Sequence, residues 1–183
     1  MPGGADSRDI RTARLLLQPV RTAHADALAD ALADPAVYAF TGGSPEDALW
    51  WRTRLAFLEP GRSPDGRELW LNWVIELSAT SEIVGYVQAT VTGASADVAY
   101  VLGTRWQGHG YALEATRAMI DHLMDDLGAE EIRAWIAENH IASQTVALGC
   151  GLVPTGEIDG DGERLWMCHP TADAGSLTGP IDR

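Results

Sequence analysis

Eight residues in the middle of the chain, 105–112 (RWQGHGYA), constrain it more than any other stretch. They stand between an apparent strand at 97–102 (DVAYVL) and a long helical pattern that begins near Gly110. A strand that stops, a turn with two glycines and a helix that starts there build a cradle for an anion. Gly108 and Gly110 let the backbone turn and approach a ligand without a Cβ penalty. The N–H groups of such a turn, and of the first helical turn, have no partner inside the helix and point at whatever binds. A pyrophosphate is the expected guest.

The hydrophobic pattern sets this unit in a longer order. Residues 13–19 (ARLLLQP) read as a first strand closed by proline. Thr22 can cap a helix to about Ala33, with Ala27, Leu28, Ala31 and Leu32 on one face, and Pro35 stops it. Ser44-Pro45-Glu46-Asp47 is a second start signal, with a cap, a first-position proline and acids in the first turn. That helix extends to about Leu58, where Pro60-Gly61 breaks it. Residues 68–77 alternate, placing Leu69, Leu71, Trp73, Ile75 and Leu77 on one face. Residues 83–92 and 96–102 continue an antiparallel meander.

The period then becomes helical. Ala112, Ala115, Met119, Leu123 and Leu127 form a stripe opposite Glu114, Arg117 and Asp121, until Gly128. Residues 131–137 read as a strand, 141–148 as a short helix ended by Gly149, and 152–157 with 164–168 as a closing hairpin. The order β-α-α-β-β-β-α-β-α-β-β predicts an α/β (α+β) fold. Its sheet is mixed, mostly antiparallel and twisted, with helices on both faces.

At 183 residues a single domain at 12–169 is expected, between a flexible N-terminus (1–11) and a flexible C-terminal tail (170–183). Hydrophobic residues at 46% against charged residues at 21% describe a globular chain rather than a disordered one. A net charge of −13 argues against a nucleic-acid partner. It suits a cationic small molecule or basic peptide, or serves solubility alone. Cys150 and Cys168 are expected to be reduced and structural, Cys150 as buried filler rather than a nucleophile. No His/Cys/Asp cluster has metal spacing, so no metal is expected. The first residues carry no apolar signal segment and no run is long enough to span a membrane, so a cytoplasmic protein without membrane partners is expected.

Other readings of the cradle remain. A glycine turn can simply lead into a helix. A dinucleotide site would use Glu138 as ribose acceptor, but Leu113 stands where its third glycine belongs and the unit follows an antiparallel meander. A Walker loop is excluded, because no Gly-Lys-Ser/Thr follows. His109 can add charge beside a phosphate or be merely solvated.

The chain resembles the GNAT superfamily of acyl-CoA-dependent N-acetyltransferases, and within it the ribosomal-protein N-terminal acetyltransferase-like subgroup. The cofactor signature of that superfamily, Arg/Gln-x-x-Gly-x-Gly/Ala, is met by Arg105, Gly108 and Gly110 between the third meander strand and the next helix. Asn139 and Ser143 follow the next strand, then Leu148-Gly149-Cys150-Gly151 where the family usually has Leu-Gly-Phe. The resemblance implies acetyl-CoA as co-substrate, lying in a V-shaped opening between the strand ending at Leu102 and that ending near Ala137. Tyr100, Val101 and Leu102 would offer backbone groups to the pantetheine arm. Gln107, Gly108, His109, Gly110, Tyr111 and Ala112 would offer N–H groups to the pyrophosphate, and Asn139 would reach in from the far wall.

The implied reaction is direct attack of an amine on the thioester in a ternary complex. The amine must lose a proton, the oxyanion must meet a donor, and the thiolate, with a thiol pKa of about 8.5, leaves fairly easily. A backbone N–H near Val101 or Leu102 is the expected oxyanion donor. Relatives often place a tyrosine acid seven residues after the asparagine. Val146 stands there in this chain, so Ser143 is the replacement candidate, with helix capping or cofactor contact as its other reading. Asp97 is the candidate base, acting through water, with Glu76 second and ordered water alone a third route. Asp97 can equally be an ordinary strand-start residue. Alternation sets Asp97, Ala99 and Val101 on one face and Val98, Tyr100 and Leu102 on the other.

Trp70, with Asn72 and Glu76 on the same face, is the candidate acceptor-binding set, whereas Trp50, Trp51 and Trp73 read as packing residues. The amine acceptor stays open among antibiotic, polyamine, amino acid and protein N-terminus. A non-catalytic acyl-CoA-binding or regulatory module is the alternative, and a dinucleotide-binding oxidoreductase the remote one. A monomer or a homodimer is expected.

Overall fold

Apolar residues at every second position commit the centre of the chain to strands that bury one face each. The computed structural model describes residues 8–40 and 42–169. The strands are β1 (Ile10–Arg11), β2 (Leu15–Pro19), β3 (Leu69–Leu77), β4 (Ile83–Thr92), β5 (Ser95–Leu102), β6 (Glu131–Ala137), β7 (Val153–Ile158) and β8 (Glu163–Cys168). They form one sheet in the order β1-β2-β3-β4-β5-β6-β8-β7. Every neighbouring pair is antiparallel except β5 and β6.

Helices cover both faces. Leu15, Leu71, Trp73, Val87 and Val98 pack with Ala115 and Met119 of α3 (Tyr111–Asp121), with Leu123 just beyond its end and with Ala147 of α4 (Ile141–Gly149). On the other face Val74 packs with Leu28 of α1 (Ala25–Ala31) and with Trp51 and Leu55 of α2 (Ala48–Leu58). The alternation of β5 is as expected: Ala96, Val98, Tyr100 and Leu102 face α3 and α4, while Val101 faces α1 and α2.

Three local expectations differ. Ser44 does not cap α2. Asp47 does, its carboxylate accepting the Trp50 N–H at 2.8 Å, so the helix starts at Ala48 and the proline lies before it. Thr22 opens a 3-10 turn (Thr22–His24) ahead of α1 instead of capping a helix. Within the segment expected to be loose, Ile10 and Arg11 pair with Leu17 and Leu16. The helical stripe after α3 continues as a π turn (His122–Asp126) to Gly128. Residues 1–7 and the tail 170–183 lie outside the described residues. No helix of the described residues is long and apolar enough to cross a membrane.

Candidate functional site

The site begins where two strands part. β5 and β6 run parallel and pair at Ser95 with Glu131, Ala96 with Ile132 and Asp97 with Arg133, and no further. Beyond Asp97 the two strands diverge, and β5 keeps its other neighbour, β4, along its whole length. Gly103 N–H donates to the Val84 carbonyl, so alternation turns the backbone groups of Val101 and Ala99 toward β4. The N–H and C=O groups of Tyr100 and Leu102 therefore face the opening. The Leu102 carbonyl accepts a hydrogen bond there from the Gln107 side chain at 3.0 Å. Of the three residues expected to lend backbone groups, the parity of the strand turns Val101 away and keeps Tyr100 and Leu102.

Residues 103–110 carry the chain from β5 into α3. Gly108 and Gly110 adopt φ of 77° and 78°, a left-handed conformation that a side chain disfavours by about 1–2 kcal/mol. Among the described residues no acceptor takes the N–H groups of residues 108–113. Gln107 N–H is different, closing the preceding 3-10 turn on the Thr104 carbonyl. These unpartnered donors surround the positive end of α3, an arrangement that favours an anion. Arg105 is exposed and lies over the Trp106 ring, 4.7 Å from its centroid. His109 stacks on Tyr111, and its Nδ1 lies 2.9 Å from the Gln107 carbonyl. Ala112 is half-buried against the core.

Arg14, which sequence reasoning missed, ties this turn to the first strands. Its Nη1 donates to the His109 carbonyl at 2.9 Å and its guanidinium lies 4.7 Å over the Tyr111 ring. Its Nε and backbone N–H donate to the Glu114 carboxylate, which also accepts from Thr12 Oγ1 at 2.6 Å. Burial raises the Glu114 pKa, but these hydrogen bonds outweigh it and hold the carboxyl below its ordinary value. Arg14 and Glu114 are a hundred residues apart, and no local pattern connects them.

Across the opening, the Tyr100 hydroxyl donates to the Ser143 carbonyl at 2.8 Å and lies 2.8 Å from Ser143 Oγ. Burial pushes the phenol up to about 12, against a smaller downward pull from the Ser143 hydrogen bond. Asn139 is exposed in the turn before α4, and its side chain makes no hydrogen bond among the described residues. Gln144 occupies the end of β6 instead, donating to the Ala137 and Glu138 carbonyls at 3.2 and 2.8 Å. The ring of Phe40, from the connection between α1 and α2, lies flat on His140, with centroids 4.1 Å apart and planes 7° apart.

Asp97 stands at the closed vertex, its carboxylate 2.6 Å from the Arg133 guanidinium. Four residues of strand separate it from Val101, about 13 Å at ~3.3 Å per residue. Glu76 accepts from the Gln18 amide at the far side of β3. Trp70 is turned aside, its Nε1 donating to Glu68 and its ring against Phe57. Asn72 alone of the acceptor set lines a cavity of about 270 Å³ between α1, α2 and the sheet. Tyr86 and Gln88 of β4 also line it, and Tyr86 pairs in register with Val101. Cys150 is half-buried, and burial pushes its thiol up to about 11, so it is a poor nucleophile. Among the described residues no group of three or more His, Cys, Asp and Glu could hold a metal ion.

A mixed sheet that opens beside its one parallel pair, with an amide-lined turn at the opening, is a specific combination. The family model described as an acetyltransferase (GNAT) domain matches residues 14–153, more than half of the chain. The chain belongs to the GNAT acetyltransferase family. Solved structures agree on the fold. A GNAT-family acetyltransferase from Bacillus anthracis superposes with a TM-score of 0.74 at 16% identity, covering 88% of this chain and 98% of that one. A ribosomal L7/L12 alpha-N-protein acetyltransferase in complex with coenzyme A gives 0.71 at 16% identity, over 87% and 95%. An aminoglycoside acetyltransferase in complex with coenzyme A gives 0.69 at 14%, over 85% and 95%. No curated protein matches the sequence.

Proposed function

We propose that this GNAT chain is an N-acetyltransferase, moving the acetyl group of acetyl-CoA to a primary amine by direct attack in a ternary complex. One observation carries the reading: the unpartnered amides of residues 108–113 stand directly beyond the open, outward-facing edge of β5. Amides with no protein acceptor suit a diphosphate, and a strand edge without a neighbour suits the amide-bearing pantetheine arm. Two solved structures of the same fold carry coenzyme A, which supports that choice of co-substrate.

The chain's own groups then divide the work. The Leu102 N–H, facing the opening, is the donor for the developing oxyanion. Tyr100 and Ser143 form one hydrogen-bonded couple that relays a proton to the leaving thiolate and takes one back from water, so that the couple ends as it began. Asp97 holds the vertex through Arg133 and is too distant to take the amine proton, which leaves through water. Arg14 positions the phosphate turn, and Arg105 and His109 line its outer side. Asn139, without a side-chain partner, is the contact from the far wall.

Ribosomal-protein and aminoglycoside enzymes match this fold almost equally, with TM-scores of 0.71 and 0.69. The acceptor must therefore be read from the cavity rather than from likeness. The test of the overall reading has two parts. Coenzyme A raises the thermal stability of the purified chain, by about 2.7 kcal/mol at a hundredfold excess over its dissociation constant, and nicotinamide dinucleotides do not. Thiol is released from acetyl-CoA on adding amines. Stabilisation by coenzyme A without thiol release from any amine would make the chain a binding module.

A further inference from the structure

The cavity on the α1/α2 face carries charge of the opposite sign to the whole chain. The chain has 26 acidic against 13 basic residues, yet among the described residues no carboxylate lines the cavity. Its polar groups come from Arg54, Asn72, Tyr86 and Gln88, and its aromatic wall from Trp50 and Trp51. Arg54 makes no ion pair with any described residue, whereas Arg52, two positions before it on α2, is paired with Asp26 at 3.4 Å. One helical turn to either side of Arg54 stand Trp50, Trp51, Phe57 and Leu58, all apolar. Its charge reaches the cavity, because it pulls the buried Tyr86 phenol downward against the rise to about 12 that burial causes.

The aromatic wall has an unsatisfied donor as well. Trp51 is 7% exposed, and its indole N–H has no hydrogen-bond partner among the described residues. A buried N–H left in that state is costly, and an acceptor group on a bound molecule would relieve it. Asn72 is equally buried, and only its amide nitrogen is engaged, with the Trp70 carbonyl. A polycation would find no counter-charge here and one like charge. A carboxylate would find an arginine, and an apolar body would find two indoles.

We infer that the acceptor is a small primary amine carrying both a carboxylate and an apolar or aromatic body, with Arg54 reading the carboxylate. This rests on the acetyltransferase reading, since Tyr86 lies beside Val101 and so brings the cavity to the point where the amine attacks. The volume sets the size. At about 270 Å³ the cavity falls below the ~300–1,000 Å³ of drug-sized sites and suits an amino-acid-sized molecule.

Three probes decide it: L-phenylalanine, 2-phenylethylamine, which lacks only the carboxylate, and spermidine, a polycation without a ring. Thiol release from acetyl-CoA gives kcat/KM for each with the wild-type chain and with Arg54→Glu and Arg54→Ala. Quenching of tryptophan fluorescence in the coenzyme A complex, assigned to Trp50 and Trp51 among the seven tryptophans by its loss in Trp50→Phe and Trp51→Phe, gives binding without requiring turnover. The wild-type chain is expected to prefer phenylalanine over both other amines. Arg54→Glu is expected to collapse the phenylalanine-to-phenylethylamine ratio by about tenfold or more, with Arg54→Ala between. A preference for spermidine, or a ratio that Arg54→Glu leaves unchanged, overturns the assignment while leaving the transferase intact. Fluorescence-detected phenylalanine binding that Arg54→Glu abolishes, without thiol release, keeps Arg54 as the carboxylate reader of a ligand site but overturns both the transferase reading and the acceptor role that rests on it. No binding and no turnover of phenylalanine overturns it outright.

Discussion

The Tyr100 phenol and the Ser143 hydroxyl meet at 2.8 Å, joining β5 to the first turn of α4 across the gap where β5 and β6 part. The residue proposed to replace the family's tyrosine acid is thus bonded to a tyrosine from another element. If the two act as one proton donor, Tyr100→Phe and Ser143→Ala each lower kcat by about tenfold. The double variant is then little slower than either single one, because coupled residues are not additive. Steady-state kinetics on the four proteins checks this. Fully additive losses would separate the two residues.

Buried phenols also set an alkaline limit. Tyr86 and Tyr100 ionise in the folded chain only near about 12, against an ordinary value of 10.0. A folded pKa raised in this way stabilises the fold fully below pH 10 and is lost as pH climbs toward 12. Stability is therefore expected to fall across that window. Phenolate absorbance at these positions should appear together with loss of tertiary structure in near-ultraviolet circular dichroism. Tyr100→Phe should blunt the fall.

The turn proposed to hold the diphosphate depends on two left-handed glycines. Gly110→Val forces a β-branched side chain into φ of 78°, and Gly108→Val does the same at 77°. Each variant is expected to bind coenzyme A about tenfold more weakly by calorimetry while keeping its sheet. Unchanged affinity would move the anion site elsewhere.

Arg14 grips the same turn from outside. Arg14→Ala removes its bonds to the His109 carbonyl and Glu114. KM for acetyl-CoA is expected to rise about three- to tenfold with kcat nearly constant, the signature of lost ground-state binding. A fall in kcat alone would contradict a positioning role.

Asp97→Asn separates vertex from base. With the carboxylate held by Arg133 and about 13 Å of strand before Val101, kcat should fall less than about tenfold. The melting temperature should drop, because Arg133 loses its closer ion-pair partner and keeps only Glu131 at 3.7 Å. A loss in kcat far above that, with stability preserved, would restore Asp97 as the base.

The sheet was legible where periodicity was strong and boundaries were punctuated. Residues 83–92 and 131–137 are strands as alternation requires, and Gly108 and Gly110 carry the left-handed angles that the turn demands. The start of α2 was misread because Ser44-Pro45 imitates a cap, although Asp47 three residues later does the capping. Contacts set by the fold left no local trace: Arg14 with Glu114, Tyr100 with Ser143, and Phe40 on His140. The acceptor face was half legible. Parity put Trp70, Asn72 and Glu76 together, but Phe57 and Gln18 engage two of them, leaving Asn72 at the cavity.

On the proposed reading a single strand would serve both substrates by odd and even numbering. Main-chain groups of Tyr100 and Leu102 face the opening beside β6, while Val101, and Ala99 by alternation, turn their side chains toward the α1/α2 compartment. Substitutions at the odd positions can reshape acceptor choice while the even positions keep their hold on the donor. One half of such a site could therefore diversify while the other stays fixed, which fits a fold shared by an aminoglycoside and a ribosomal-protein acetyltransferase, each solved with coenzyme A.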